Sequence, residues 1–196
     1  MIREYLKKEG IDGWLVHDFR GSNDLALPIL GVSPDAHMTR NLFYWIPCEG
    51  EAVSLVHQVE SHLLSELPGK KRVYRGYEDM VAALREILPE GGQVAMEVSE
   101  LNRIPYVARV SSGVVDLIRS LDVQVVSSAG MLQGILSKWD DEQLAAHKKA
   151  ANILEGAFQA AFSLIREGLD RGEKVSEGRV QRSIGDYLTE RGLVYE

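Results

Sequence analysis

Cysteine is almost absent from this chain: Cys48 stands alone among 196 residues. One thiol cannot close an internal disulfide, so a disulfide-stapled scaffold is excluded and a reducing cytoplasm is the simplest setting. Positive charge is also short, with 22 Lys and Arg against 29 Asp and Glu, a formal charge of −7. That balance argues against a nucleic-acid partner, which needs clustered cations. The basic clusters that exist, Lys70-Lys71-Arg72 and Lys148-Lys149, are short and read as solvated surface. Long apolar runs are missing as well. None approaches the roughly 20 residues that span a bilayer, and Met1-Ile2-Arg3-Glu4-Tyr5-Leu6-Lys7-Lys8-Glu9 mixes charges where a signal peptide has an apolar centre. No membrane partner is expected. Phosphate loops and dinucleotide fingerprints are absent too; the glycine pairs read as turns.

What is present suits a folded domain. Hydrophobic residues make up 45% of the chain, and a chain of this length buries roughly 70% of its unfolded surface without a metal or disulfide staple. A short amphipathic helix at 2–9 leads into Asp12-Gly13-Trp14-Leu15-Val16-His17, a continuous apolar run typical of a buried strand. Residues 21–40 are rich in Gly, Ser, Asn, Asp and Pro and read as a long loop with one helical turn. Strands at 42–47 and 52–57 flank Cys48-Glu49-Gly50-Glu51, a hairpin signal. A helix at 60–67 is expected to stop before Pro68-Gly69. Then follow strand 72–76, helix 78–88, a turn at 89–92, strand 93–98, a helix centred on 107–120, strand 123–127 and a short helix at 129–136. This alternation predicts an α/β domain over residues 1–137, with a mixed sheet of five or six strands.

Beyond Trp139 strand signals stop. Asp140 with Gln143 fits a capping box at a helix start. From there Leu144, Ala151, Leu154, Phe158, Phe162 and Ile165 recur at helical spacing, one apolar stripe that Gly168 and Gly172 are expected to break. Ser176-Glu177 begins a second helix carrying Val180, Ile184, Tyr187 and Leu188. Residues 138–196 therefore form a separate two-helix segment.

Three places invite a chemical reading. In His57-Gln58-Val59-Glu60-Ser61-His62 the histidines fall five apart, about 140° around a helix. They share no face, and the spacing is not that of a zinc-peptidase helix. Cys48 has neither a base nor a cationic neighbourhood to activate it. The segment Ser33-Pro34-Asp35-Ala36-His37-Met38-Thr39-Arg40-Asn41 is different: it is polar and runs into the aromatic strand Leu42-Phe43-Tyr44-Trp45. His37 and Arg40 on it are candidate substrate-binding residues, Arg40 because a guanidinium pairs bidentately with a carboxylate. The competing reading is a surface loop ahead of a core strand.

The order of these segments resembles the creatinase/prolidase family. Leu6-Lys7-Lys8-Glu9-Gly10-Ile11-Asp12-Gly13-Trp14-Leu15-Val16 is similar to its opening helix, glycine and buried strand, and Gln93-Val94-Ala95-Met96-Glu97 to its late strand ending in glutamate. Ser137-Lys138 with Asp141-Glu142-Gln143-Leu144 and Lys149-Ala150-Ala151 resembles the linker into the first catalytic-domain helix. Gly172 to Val180 resembles the bend before the second. One departure is clear: where the family has asparagine followed by Tyr-Leu-Thr-Gly, this chain has Asn23-Asp24-Leu25-Ala26-Leu27.

The resemblance implies a three-layer N-terminal domain over 1–137 and the first two helices of a pita-bread catalytic domain over 138–196. It implies a parent Xaa-Pro aminopeptidase or dipeptidase acting on short proline-containing peptides, generally as a homodimer. Such peptidases hold two divalent cations (Mn, Co or Zn) with two Asp, one His and two Glu, around a bridging hydroxide. No position up to Glu196 matches those ligands, so no catalytic residue, metal or cofactor is expected in this chain itself. The alternative implied is a non-catalytic peptide-binding or scaffolding module, as in the peptidase-like domain of the histone chaperone FACT.

Overall fold

In the computed structural model of the protein, residues 1–33 and 36–194 are described. The chain opens with α1 (Ile2–Glu9), which buries Leu6 and places Lys7 and Lys8 at the negative end of the helix dipole. The apolar run becomes β1 (Gly13–Asp18), buried at every position. One helical turn, α2 (Ala26–Ile29), interrupts the loop that follows. β2 (Leu42–Pro47) and β3 (Val53–His57) form the antiparallel hairpin, with Phe43 opposite Leu55. β4 (Lys70–Tyr74), α3 (Tyr77–Ile87), β5 (Gln93–Met96), α4 (Ser112–Arg119), β6 (Gln124–Ser127) and α5 (Ala129–Leu136) complete a unit that spans Met1–Ser137.

The six strands make one sheet in the order β4-β3-β2-β1-β5-β6. β2 runs antiparallel to β1 and β3, while β3–β4, β1–β5 and β5–β6 are parallel pairs. Five strands therefore end on the same side of the sheet. Because side chains alternate along a strand, Trp14 and Val16 face one layer, packing with Leu6 of α1, Ala26 and Leu27 of α2 and Leu132 of α5. Leu15, Phe43, Trp45 and Leu55 face the other, against Met80 and Leu84 of α3 and Ile118 of α4. This is the three-layer mixed α/β fold that the sequence predicts.

Several boundaries differ from the sequence reading, each for a local reason. No helix forms over 60–67. A 3₁₀ turn at Gln58–Glu60 gives way to turns, and Leu64 is left-handed at φ 56°. Side chains satisfy the carbonyls a helix would have used: Ser65 Oγ donates to His62 O and Lys71 Nζ to Ser61 O. β4 starts at Lys70, two residues early, because Gly69 adopts φ +110° against the Ala52 backbone. A Cβ there would lie 2.1 Å from the Ala52 oxygen, the atom to which Lys70 N then donates. Its cationic residues lie on this edge strand, where charge discourages pairing with other chains. The helix expected around 107–120 begins only at Ser112, since Arg109 N and Val110 N both donate to Glu97 O.

The second unit, Lys138–Glu196, contains α6 (Asp141–Asp170) and α7 (Glu177–Thr189). The capping box is present: Asp140 Oδ1 accepts from Gln143 N at 2.7 Å, and Gln143 Oε1 from Asp140 N at 2.9 Å. Gly168 does not break α6. It is buried within the helix, and the Val175 side chain occupies the space a Cβ would need. Ala157, Ala161 and Leu188 are also buried in this unit. Most of the apolar stripe is uncovered: Ile165 is half-buried, but Phe158 is 62% and Phe162 63% exposed, and Leu144, Leu154 and the nearby Leu169 are exposed as well.

Candidate functional site

The carboxyl ends of β1 and β5 adjoin where the chain, having built the sheet in one direction, crosses back to extend it in the other. In open α/β sheets this is where ligands bind. Here the place is filled by the protein's own polar side chains. Glu97, immediately after β5, is fully buried and accepts from Trp14 Nε1 at 2.6 Å, Ser128 Oγ at 2.9 Å and Asn23 Nδ2 at 2.7 Å. Asn23 is fully buried too. Its Nδ2 also donates to His17 O, its Oδ1 accepts from Ala26 N at the start of α2, and its own N–H donates to Asp18 Oδ1. Asp18 Oδ2 accepts from Gly21 N. This network fastens the 19–25 loop across the ends of two strands, and the Asp24–Arg109 ion pair joins the same loop to the segment after β5.

His17 extends the network to the polar segment before β2. Its Nε2 lies 3.0 Å from Asn41 Oδ1, so Nε2 carries the hydrogen and Nδ1 is left as a buried acceptor without a partner among the described residues. Burial lowers the imidazole's pKa, outweighing the Asn41 hydrogen bond and the Asp18 charge. The ring leans on Phe43, centroids 4.9 Å apart. Asn41 O accepts from Tyr74 OH at 2.6 Å. Burial, reinforced by the Glu60 charge, pushes that phenol up to about 12, so it remains a donor. Glu60 anchors the preceding residues: Thr39 N and Oγ1 donate to Oε1 at 2.7 and 2.5 Å, and Arg40 N donates to Oε2 at 3.3 Å.

Of the sequence-derived candidates, Arg40 is exposed at this rim, with its guanidinium turned back onto Thr39 O and Oγ1 at 3.1 and 3.2 Å. His37 is exposed and makes no side-chain hydrogen bond or ion pair among the described residues. Pro34 and Asp35 of the same segment lie outside the described residues. His57 ends β3, its Nδ1 accepting from Val59 N and its Nε2 facing Arg75 O, a structural role that leaves it apart from His62. The sequence reading missed Asn23, Asp18, His17, Asn41 and Ser128 as members of one network. The strand-final Glu97 was the one visible clue.

Two of the buried carboxyls, Glu97 and Glu60, shift in opposite directions. Burial raises the Glu97 pKa, and the hydrogen bonds from Trp14, Asn23 and Ser128 offset this only in part. For Glu60 burial also acts upward, but the Thr39 and Arg40 hydrogen bonds outweigh it and hold the carboxyl below its usual range. The signs of the pH effects follow. Glu97's contribution is fully present below the ordinary carboxylate pKa, about 4.3, and is lost as pH rises through the folded value. That of Glu60 is present above the ordinary value and is lost as pH falls through the folded one. Urea unfolding from about pH 3 to pH 8 should therefore show wild-type stability, measured relative to Glu97→Gln, falling with pH, and relative to Glu60→Gln, rising with it. A flat difference for Glu97→Gln would contradict this picture of the network.

Among the described residues no three His, Cys, Asp or Glu side chains are grouped to hold a metal ion. The donor set does not fit the two-cation centre that the resemblance implies, and no hydrolytic step is assigned to these residues. No helix of the described residues is long and apolar enough to cross a membrane.

Neither protein-family models nor curated proteins match the chain's sequence. Solved structures do match. A prolidase from Thermococcus sibiricus is 16% identical with a TM-score of 0.57, over 97% of this chain and 48% of that one. A proline dipeptidase from Streptococcus pneumoniae is 17% identical with a TM-score of 0.53, over 70% of this chain and 96% of that one. An X-Pro aminopeptidase from Thermotoga maritima is 16% identical with a TM-score of 0.50, over 93% and 47%. The fold is thus that of the creatinase/prolidase N-terminal domain. The chain spans about half the length of the prolidase it resembles.

Proposed function

We propose that this chain supplies the N-terminal, dimer-forming and substrate-entrance domain of a cytoplasmic Xaa-Pro metallopeptidase, with 138–196 beginning its pita-bread catalytic domain. The observation that supports this reading best is the extent of the fold likeness. One prolidase matches along nearly the whole of this chain, and a dipeptidase structure of which 96% is covered corresponds to 70% of it. In the parent, the two divalent cations and the attacking hydroxide belong to residues other than those described here, and the substrates are short proline-containing peptides.

The buried network gives this domain a rigid rim, on which Glu60 holds the backbone of Thr39 and Arg40. Arg40, released from Thr39, reaches a peptide's terminal carboxylate, and His37 lies beside it in sequence. Positioning a substrate away from the scissile bond changes rate as well as affinity, because binding energy there orients the reacting carbonyl. Arg40→Ala in a full-length peptidase should lower kcat/KM on a free dipeptide about tenfold, the worth of one charge-assisted hydrogen bond. The same dipeptide amidated at its C-terminus should be unaffected. Equal loss on both substrates, or no loss, would remove the carboxylate role. A parent that binds such peptides without cleaving them would replace the enzyme reading with that of a binding module.

A further inference from the structure

A hollow of about 390 Å³ opens between α1 and the 99–107 segment, with residues of β5 and β6 in its lining. Its walls carry unlike charges. Glu9 lines the α1 side and Arg103 the other. Among the described residues the Glu9 carboxylate meets only its neighbour Lys8, at 3.5 Å. The Arg103 guanidinium has no hydrogen bond or ion pair among the described residues. Ile11, Val107 and Val126 add apolar lining beside the polar Gln93, Ser99 and Ser127. Glu100 lines the hollow as well, so Arg103 is its one cation beside two carboxylates, and no ion pair joins Arg103 to either of them among the described residues.

The segment bearing Arg103 has an uncommon backbone. Leu101 and Asn102 are both left-handed, at φ 51° and 54°. Non-glycine residues hold that conformation when the surroundings impose it, and ligand clamps are a common setting. Here Ile104 N donates to Ser99 Oγ at 2.9 Å and Arg103 N to Glu100 O at 3.1 Å, fixing the turn that presents the guanidinium.

We propose that this hollow binds a small zwitterion, a free α-amino acid or unblocked dipeptide with an apolar side chain. The ammonium meets Glu9, the carboxylate meets the Arg103 fork, and the side chain rests on Ile11 and Val126. The volume lies within the range of small-ligand sites, and a planar guanidinium is the side chain best shaped for a carboxylate. Both charges are exposed, so affinity is in the millimolar range and each charge contributes about two- to fivefold. The inference does not depend on the parent being a peptidase.

The test is an NMR titration of the whole chain with L-leucine and with Ala-Leu, alongside leucine amide, N-acetyl-leucine and the doubly blocked N-acetyl-leucine amide. Saturable shifts at Ile104, Val107 and Val126 are expected for the unblocked probes, weakened about two- to fivefold by blocking either end. Saturation by leucine alone assigns an amino-acid site, and saturation by Ala-Leu alone a dipeptide site. Arg103→Gln, a surface change that leaves the rest of the spectrum in place, should weaken leucine by the same factor and leave leucine amide unaffected. Val126→Trp should abolish the response by filling the hollow. No saturable shift with either unblocked probe at tens of millimolar would overturn the proposal. So would equal binding of the doubly blocked compound, or equal effects of Arg103→Gln on leucine and its amide.

Discussion

Glu97→Ala is expected to destabilise the first unit by about 3–5 kcal/mol, the sum of stranded buried donors and an unfilled cavity. Three donors lose their acceptor at once: Trp14 Nε1, Asn23 Nδ2 and Ser128 Oγ. The indole N–H of Trp14 only donates and has no alternative in this buried site, whereas Asn23 Nδ2 keeps its bond to His17 O. For a chain of this length such a loss lowers Tm by roughly 10–15 °C. Glu97→Gln should be milder. Its remaining oxygen can accept from Trp14 and Ser128, and its amide nitrogen opposes only Asn23 Nδ2. Asn23 cannot turn to suit it, because its Oδ1 is held by Ala26 N. The alanine variants at 97 and 23 should also be non-additive, coupled by about 1–3 kcal/mol, as groups sharing one network are. Chemical unfolding measures all three. A loss below about 1 kcal/mol for Glu97→Ala, against the usual cost of breaking a buried polar contact, would mean the network is incidental to the fold.

The second large effect concerns α6. Phe158 and Phe162 stand one turn apart and more than half exposed, with Leu154 and Leu169 continuing the same stripe. Monomeric proteins rarely leave a large contiguous apolar patch open. This chain by itself is expected to self-associate through that stripe; in the proposed parent peptidase the same stripe is expected to pack against the rest of the catalytic domain. Burying one Phe is worth about 1.5–3 kcal/mol. Changing Phe158 and Phe162 together to Ser should therefore weaken association by about a hundredfold or more. Sedimentation velocity across a concentration series reads this directly. A wild-type chain that stays monomeric to high micromolar concentration, with fast amide exchange across 144–165, would contradict it.

The sheet was legible because its signals are local and redundant. The apolar run at Trp14-Leu15-Val16, the hairpin residues around Gly50 and the capping pair Asp140 and Gln143 each specify their element from nearby residues alone. The elements misjudged depend on contacts distant in sequence. Glu97 O draws in Arg109 N and Val110 N and delays α4, while Lys71 reaches back to Ser61 in place of a helix at 60–67. The polar network was hidden for the same reason. Trp14, Asn23, Glu97 and Ser128 occupy four separate segments, and each alone is an ordinary residue at a strand or loop. Arg40 and His37 stood out because they are polar residues three apart ahead of an aromatic strand; both are exposed, and Glu60 holds the backbone of Thr39 and Arg40.

The central claim is that these residues form and support a substrate entrance while the hydrolytic metal centre lies elsewhere in a parent enzyme. The most direct measurement is calorimetric titration of the chain with manganese, cobalt and zinc, followed by an Xaa-Pro dipeptide assay on the metal-treated protein. The account predicts no stoichiometric submicromolar site and no cleavage above the metal-only rate. A tight stoichiometric site accompanied by turnover would contradict it, by placing the chemistry within these residues.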